Sequence, residues 1–330
     1  MDMVATPGGR IAARRAPPSG GPAEPAVFVH GLGGSSTNWT DLMGLLRDRV
    51  DGVALDLPGF GFSPPPDDGD YTPGGHARSV IGLIEAEGRA PVHLFGNSLG
   101  GAVTLRVAAE RPDLVRSLTL ISPALPDLRP RRFTAGFVPL AAPVLGDRIA
   151  RALASQDPHR RAQQVMALCF ADPAAVPPQV LDFAAAELHR RRRLTYANDA
   201  LLASLRGLLL DYLRQGRRSP WRQLPAVSAP TLVIAGGRDR LVHPRVIARV
   251  VREIPGARLL MVPGGGHIEQ MEHPALVDRA VGELLADIAE SAEIAVPTAP
   301  ARTGDPLPWR GIAAGHGTVR PGEHSRTFRS

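Results

Sequence analysis

A serine, an aspartate and a histidine, residue types that together can cleave an acyl bond through a covalent intermediate, each follow a short apolar run in this chain. Ser98 stands in Leu94-Phe95-Gly96-Asn97-Ser98-Leu99-Gly100-Gly101, a G-x-S-x-G pattern. Glycines two positions to either side leave room for a sharp strand-to-helix turn that lifts the hydroxyl clear of the strand. Serine is a poor nucleophile at neutral pH, so it needs a base within hydrogen-bond reach. That base in turn needs a group to fix its tautomer and stabilise its cation. His267, directly after Gly264-Gly265-Gly266, and Asp239, after Gly236-Gly237-Arg238, supply those roles. The glycine run lets the backbone arch toward the serine; its plainer reading is a flexible turn.

Bringing the three together requires a scaffold that gathers distant strand ends on one edge, which a parallel sheet does at its carboxyl side. The apolar runs Ala26–His30, Val53–Asp56, Val92–Phe95, Leu118–Ile121, Pro230–Ala235 and Arg258–Val262 read as its strands. Helices between them start near Thr37, with an apolar face at Leu42, Leu45, Leu46 and Val50, and at Thr72-Pro73, running to Glu87 and stopping at Gly88. Others follow Ser98, span Pro244–Glu253 and span Pro274–Ala289. Strands that are apolar throughout, alternating with helices, predict an α/β fold with a mostly parallel central sheet covered on both faces. Residues 3–16 alternate weakly around Gly8-Gly9 and predict a hairpin, placing residues 1–25 as an N-terminal hairpin and loop. The rhythm breaks over residues 125–224, where helical patterns at Gln163–Phe170, Gln179–Arg190 and Tyr196–Leu213 form an insertion. Residues 291–330, rich in Pro, Gly, Arg and Thr, read as a disordered tail, leaving 26–124 and 225–290 as the core.

The 330 residues, 44% of them hydrophobic, suit one large α/β core with an insertion. No run reaches the roughly 18 apolar residues that suggest a membrane-spanning helix. The stretch Phe137–Leu145 is short and broken by Pro139 and Pro143. No secretory signal is visible and the single Cys169 cannot form an intrachain disulfide, so a soluble, cytoplasmic protein is the expectation. Every basic side chain other than histidine is arginine, and the net charge of +6 gives no reason to infer nucleic-acid binding. The charge is local: residues 124–222 hold 16 Arg against 8 Asp plus Glu.

These residues resemble the α/β-hydrolase family: His30-Gly31 at a strand end, the elbow at Ser98, Asp239, and Gly266-His267 followed by Glu272-His273-Pro274. Asp56-Leu57-Pro58-Gly59-Phe60-Gly61 is similar to the family's D-x-x-G-x-G turn. The likeness covers residues 26–124 and 225–290 and implies that residues 125–224 are a helical cap over the site. It also implies an oxyanion hole from the backbone N–H groups of Leu32 and Leu99. The expected activity is a serine hydrolase acting on a small-molecule ester or related acyl bond, with Ser98, Asp239 and His267 catalytic and no metal or organic cofactor. Serine at the elbow argues against epoxide-hydrolase or haloalkane-dehalogenase chemistry, which calls for a carboxylate. Alternatives are a carbon–carbon bond hydrolase of ring-cleavage products, which the Gly96-Asn97-Ser98 start resembles, an acyltransferase, or a ligand-binding protein on the same fold.

Other polar residues have plainer readings. His30 holds its loop, Asp56 anchors its turn, and His243 and His273 cap helices although each is a rival base. Asp127 is a rival to Asp239, and Asn97 either orients the elbow or faces solvent. His189 with Arg190 to Arg193 is a solvated helix end, or a group of arginines that takes an anionic part of the substrate.

Overall fold

The computed structural model describes residues 1–21, 23–127, 135–216 and 219–295. Eight strands form one sheet: β1 (Asp2–Thr6), β2 (Gly9–Ala16), β3 (Glu24–Val29), β4 (Val50–Leu55), β5 (Val92–Asn97), β6 (Val115–Ile121), β7 (Thr231–Gly236) and β8 (Arg258–Val262). Their spatial order is β1-β2-β4-β3-β5-β6-β7-β8. Strands β4 through β8 in that order pair in parallel, while β2 runs antiparallel to both β1 and β4. The hairpin expected at Gly8-Gly9 therefore forms and joins the main sheet at its edge.

The helices are α1 (Thr40–Leu45), α2 (Pro73–Glu87), α3 (Leu99–Glu110), α4 (Phe137–Ala141), α5 (Leu145–Ser155), α6 (Pro158–Cys169), α7 (Pro178–Arg191), α8 (Ala197–Tyr212), α9 (Pro244–Glu253), α10 (Glu269–Glu272) and α11 (Pro274–Ala295). Two start and stop signals act as their chemistry dictates. Thr72 accepts the Gly75 N–H at the start of α2, and Gly88 ends it in the left-handed conformation at φ 63. Alternating side chains of the strands feed two cores. On one face, Val27, Val29 and Leu94 pack with residues of α2, α3 and α9. On the other, Phe28 stacks on Phe95 at 4.4 Å between ring centroids and meets Trp39 at 5.4 Å, beneath α1 and α11.

Three departures from the sequence reading have local causes. The first inter-strand helix is shorter than expected: a 3-10 turn at Ser36–Trp39 precedes it, Leu45 is exposed, and Val50 opens β4 opposite Glu24. The last helix continues to Ala295, into the start of the segment read as a tail; residues 296–330 lie outside the described residues. The Pro-containing stretch at 137–155 forms α4 and α5. Pro139 falls in the first turn of α4, where a missing N–H breaks no helical bond, and Pro143 sits between the two helices. No helix among the described residues is long and apolar enough to cross a membrane.

Helices α4 to α8 lie between β6 and β7 in the chain and are tied to the sheet layer by buried polar links. Arg106 of α3 donates from Nη2 to both carboxylate oxygens of Asp211 on α8 at 3.1 Å, and both side chains are almost fully buried. His76 of α2 lies 3.0 Å from the Ser204 hydroxyl of α8, and Gly207 lets α8 approach the Thr72 backbone closely. Removing one member of a buried ion pair strands the other charge. Asp211→Ala is therefore expected to lower stability by about 3 kcal/mol, read as a lower urea midpoint. Replacing both partners by apolar residues, Arg106→Met with Asp211→Leu, should recover most of that loss; a double variant as weak as the single would contradict the role of the stranded charge.

Candidate active site

Strand β5 ends at Asn97 and α3 begins at Leu99, leaving Ser98 alone in the turn at φ 54 and ψ −116. That backbone region is unfavourable for an L side chain, costing on the order of 1–3 kcal/mol. The flanking glycines are required by contact: a Cβ on Gly96 would overlap Thr104 Oγ1 and the Gly100 carbonyl, and one on Gly100 would overlap the Val29 and His30 carbonyls. The turn is held by Ser98 N–H donating to the Ile121 carbonyl at 3.0 Å and by the Ser98 carbonyl accepting from Ala102 and Ala124 at 3.1 and 2.9 Å.

His267 follows β8 and Asp239 follows β7. The His267 Nδ1–H donates to Asp239 Oδ2 at 2.9 Å, so that in the neutral ring the lone pair is on Nε2. The other carboxylate oxygen, Oδ1, accepts the N–H groups of Leu241 and Val242 at 2.7 and 3.0 Å. Burial alone would raise the Asp239 carboxyl. The His267 charge and hydrogen bond, with the two amides, outweigh it and hold the group below the usual range, so it is an anion at neutral pH. The backbone of His267 is fixed as well: its N–H donates to the Cys169 carbonyl at 2.7 Å, and its carbonyl accepts from Asn97 Nδ2 at 3.1 Å. Asn97 Nδ2 also reaches the Ile121 carbonyl at 3.1 Å, so this buried side chain orients the turn and does not face solvent.

The loop after β3 lies against the serine. A Cβ on Gly31 would be only 3.1 Å from Ser98 Cβ. His30 is buried and neutral in this loop: Leu57 N–H donates to its Nε2 at 2.9 Å while its Nδ1–H donates to the Gly31 carbonyl at 2.8 Å. Burial holds its pKa below the ordinary imidazole value. Asp56 receives the N–H groups of Ser36 at 2.6 Å and Phe62 at 2.8 Å, and a Cβ on Gly61 would overlap its carboxyl. Leu32 lines the cavity beside Ser98, and Leu99 is the first residue of α3, whose leading N–H groups have no helical acceptor.

Ser98 and His267 open on a cavity of about 1270 Å³, walled mainly by apolar side chains of α4 to α8. Its size exceeds the roughly 300–1,000 Å³ of ordinary small-molecule pockets. Cys169 also lines it, but burial, with Asp239 nearby, pushes the thiol up to about 12, so it is no thiolate nucleophile. The rival groups are occupied elsewhere. His243 Nδ1 accepts the Arg245 N–H at 3.1 Å as a helix cap, Asp127 accepts Arg245 Nη2 at 2.7 Å, and His273 Nδ1 lies 2.7 Å from Glu269 Oε2.

Two residues that no motif position singles out for this purpose hold the insertion to the site. Arg240, beside Asp239, donates to the carbonyls of Ala167, Phe170 and Ala171 at 2.6, 2.5 and 3.1 Å, gripping the end of α6. Glu272 accepts the Ala171 and Gly266 N–H groups at 3.0 and 2.9 Å. The only sequence signal was the placement of Glu272 before His273-Pro274.

Residues 25–274 match the sequence profile of the family described as alpha/beta hydrolase fold. The chain belongs to the alpha/beta hydrolase fold family. It is 34% identical over 256 residues to the dihydrolipoyllysine-residue acetyltransferase component of an acetoin cleaving system from Cupriavidus necator. That alignment takes in 77% of this chain but 61% of the relative, so the chain spans about three fifths of that protein's length. A lipase from Psychrobacter immobilis is 27% identical over 76% of this chain and 73% of its own. The solved meta-cleavage product hydrolase from Pseudomonas fluorescens IP01 superposes with a TM-score of 0.71, covering 87% of this chain and 98% of that one, at 17% identity. At that identity the likeness speaks for the alpha/beta hydrolase fold alone.

Under the His267 loop, Glu269 is completely buried, with Oε1 lacking a hydrogen-bond partner among the described residues. Burial pushes its carboxyl up to about 7, against the pull of His273 in the other direction. The unfolded carboxyl titrates near 4.5, so between 4.5 and 7 the folded protein binds more protons. The contribution of Glu269 to stability is therefore greatest below that window and falls as pH rises through it. Glu269→Gln should melt about 2–4 °C above the native protein at pH 8 and show a smaller gain at pH 5. Calorimetry at the two pH values checks this; the same gain at both would refute it.

Proposed function

We propose that this protein is a serine hydrolase that cleaves a carboxylic ester, or a related acyl bond, through a covalent acyl-enzyme on Ser98. The observation that carries the reading is the 2.9 Å bond from His267 Nδ1 to a buried, otherwise satisfied Asp239, with Ser98 and His267 facing one cavity. His267 Nε2 takes the Ser98 proton as Oγ attacks the carbonyl carbon, and returns it to the leaving alcohol. Asp239 stabilises the imidazolium formed between those steps. The N–H groups of Leu32 and Leu99 receive the oxyanion, each worth about 3 kcal/mol in the transition state. Water, deprotonated by His267, then releases the acid and restores the serine. The chemistry draws on side chains, backbone and water, without metal or organic cofactor. Residues 125–224 act as the cap that shapes the substrate cavity.

A second reading, transfer of the acyl group to an acceptor other than water, is supported by the name of the Cupriavidus necator relative, an acetyltransferase component. Both readings share the acyl-enzyme and differ only in what attacks it.

A fluorophosphonate probe should label the native protein and leave Ser98→Ala unlabelled; absence of labelling in the native protein would count decisively against either reading. His267→Gln and Asp239→Asn should each lower kcat for a para-nitrophenyl ester on the order of 10⁴-fold or more, with the folded state intact by circular dichroism.

A further inference from the structure

Of the arginines of α4 to α8 that line the cavity, Arg151 and Arg192 are exposed, while Arg161 and Arg191 are half-buried and have no carboxylate partner among the described residues; Arg14 of β2 also lines it. Arg191, the last residue of α7, donates from Nη1 to the Gly33 carbonyl at 3.0 Å, and its guanidinium carbon lies 5.8 Å from the centre of the Phe60 ring. Arg161 of α6 donates from Nη1 to Gln164 on its own helix at 3.2 Å. Neither side chain forms an ion pair among the described residues. Glu187, the acid that acts most strongly on Arg191, already receives Arg190 Nε and Nη2 at 3.0 and 2.7 Å. Arg190 also donates to the Gly61 carbonyl and lies 4.3 Å from the centre of the Phe62 ring. The other two arginines of the run are exposed: Arg192 donates to the Ala154 carbonyl at 2.5 Å, and Arg193 lies 3.2 Å from His189 Nε2.

Burial acts against the charge of both Arg161 and Arg191, and at Arg191 the charges of Arg190 and Arg161 add repulsion. Two like charges turned into one mostly apolar cavity are costly unless an anion meets them. The location bears on catalysis. Gly33 is two residues from Gly31, a backbone span of at most about 7 Å, and Gly31 abuts Ser98. Arg191 is held by its Gly33 bond and by Phe60, so a guanidinium fork is fixed on the same loop, two residues along from the glycine that abuts Ser98.

We propose that Arg191 and Arg161 form an anion site in this cavity, selecting ester substrates that carry a carboxylate a few carbons from the bond cleaved. The proposal rests on the acyl-enzyme reading for its place in turnover, and on the cavity alone for binding. Arg191 supplies the fixed fork; Arg161 adds the second charge from the facing helix. The apolar wall accepts the carbons between the two ends.

Binding is tested without turnover by the melting temperature of the native protein and of Ser98→Ala in glutarate, in dimethyl glutarate, and in sodium chloride of equal ionic strength. Glutarate alone is expected to raise it, and Arg161→Gln with Arg191→Gln should abolish the rise. No rise in the native protein, or an equal rise in the double variant, overturns the proposal. Turnover is tested by the kcat/KM ratio of the para-nitrophenyl hemi-ester of glutarate to para-nitrophenyl pentanoate, expected to fall about tenfold or more in the double variant. A carboxylate on the alcohol side, in the pentanoate ester of hydroxybenzoate, tells which side of the ester the site serves. If neutral esters are hydrolysed and neither charged ester loses its advantage in the double variant, the anion site falls and the hydrolase reading stands. If glutarate stabilises the protein but no ester is cleaved, the reverse holds. Should Arg191→Gln fail to fold for want of its Gly33 bond, Arg161→Gln alone decides, because among the described residues its side chain bonds only within its own helix; an unchanged glutarate shift and ester ratio in that variant would overturn the site.

Discussion

Ser98 is held at φ 54, and much of the surrounding structure follows from keeping it there. A non-glycine residue in that conformation persists only where neighbouring contacts over-determine it. Three backbone hydrogen bonds at Ser98, to Ile121, Ala102 and Ala124, tie it to β6, to its own helix and to the loop beyond β6. Gly96 and Gly100 let α3 lie so close to β5 and β3 that a methyl group at either position would meet backbone. The same closeness sets the loop at Gly31 against the serine, so the strained turn and the N–H groups proposed as oxyanion donors come from one packing arrangement.

The second constraint is charge buried beside the first. Asp239 remains an anion because a histidine ring and two amides account for its oxygens. His267 is aimed by Asp239 through its ring and anchored through its backbone to Asn97 and Cys169. Since Cys169 ends α6, the helices between β6 and β7 help set the position of the histidine as well as walling the cavity. Arg240 and Glu272 reinforce that junction: Arg240 takes carbonyls at the end of α6, and Glu272 accepts the N–H groups of Ala171 just beyond it and of Gly266 before His267. A shift of these helices would move His267 relative to Ser98, which couples the shape of the cavity to the relative placement of these two residues.

The arginine-rich character of this region divides on inspection into separate roles. Arg206 and Arg214 take part in ion pairs with Asp147 and Asp211, Arg190 is spent on Glu187, and Arg192 and Arg193 are exposed. At the cavity wall, Arg161 and Arg191 are the half-buried arginines of α4 to α8 that have no ion pair among the described residues, while Arg151 and Arg192 line it from exposed positions.

Much of the fold, and the placing of the residues proposed for the site at strand ends, was legible in the sequence because these features obey local rules. A strand buried on both faces must be apolar along its length, a serine in a left-handed turn needs small neighbours, and Thr72-Pro73 and Gly88 write the ends of α2 directly. Those rules operate over a few residues, so the strands, the elbow and the order of Ser98, Asp239 and His267 could be read without coordinates. What lay beyond them depends on partners far apart in the chain. Whether the N-terminal hairpin stood alone or extended the sheet was decided by β2 meeting β4. The helices around Pro139 and Pro143 depended on packing that no periodicity announced, and the grip of Arg240 on α6 joins residues some seventy positions apart. Among Arg190 to Arg193 the sequence gives four identical side chains. Only the tertiary structure, by placing Glu187 against one and the Gly33 carbonyl against the next, decides which of them is held half-buried at the cavity wall.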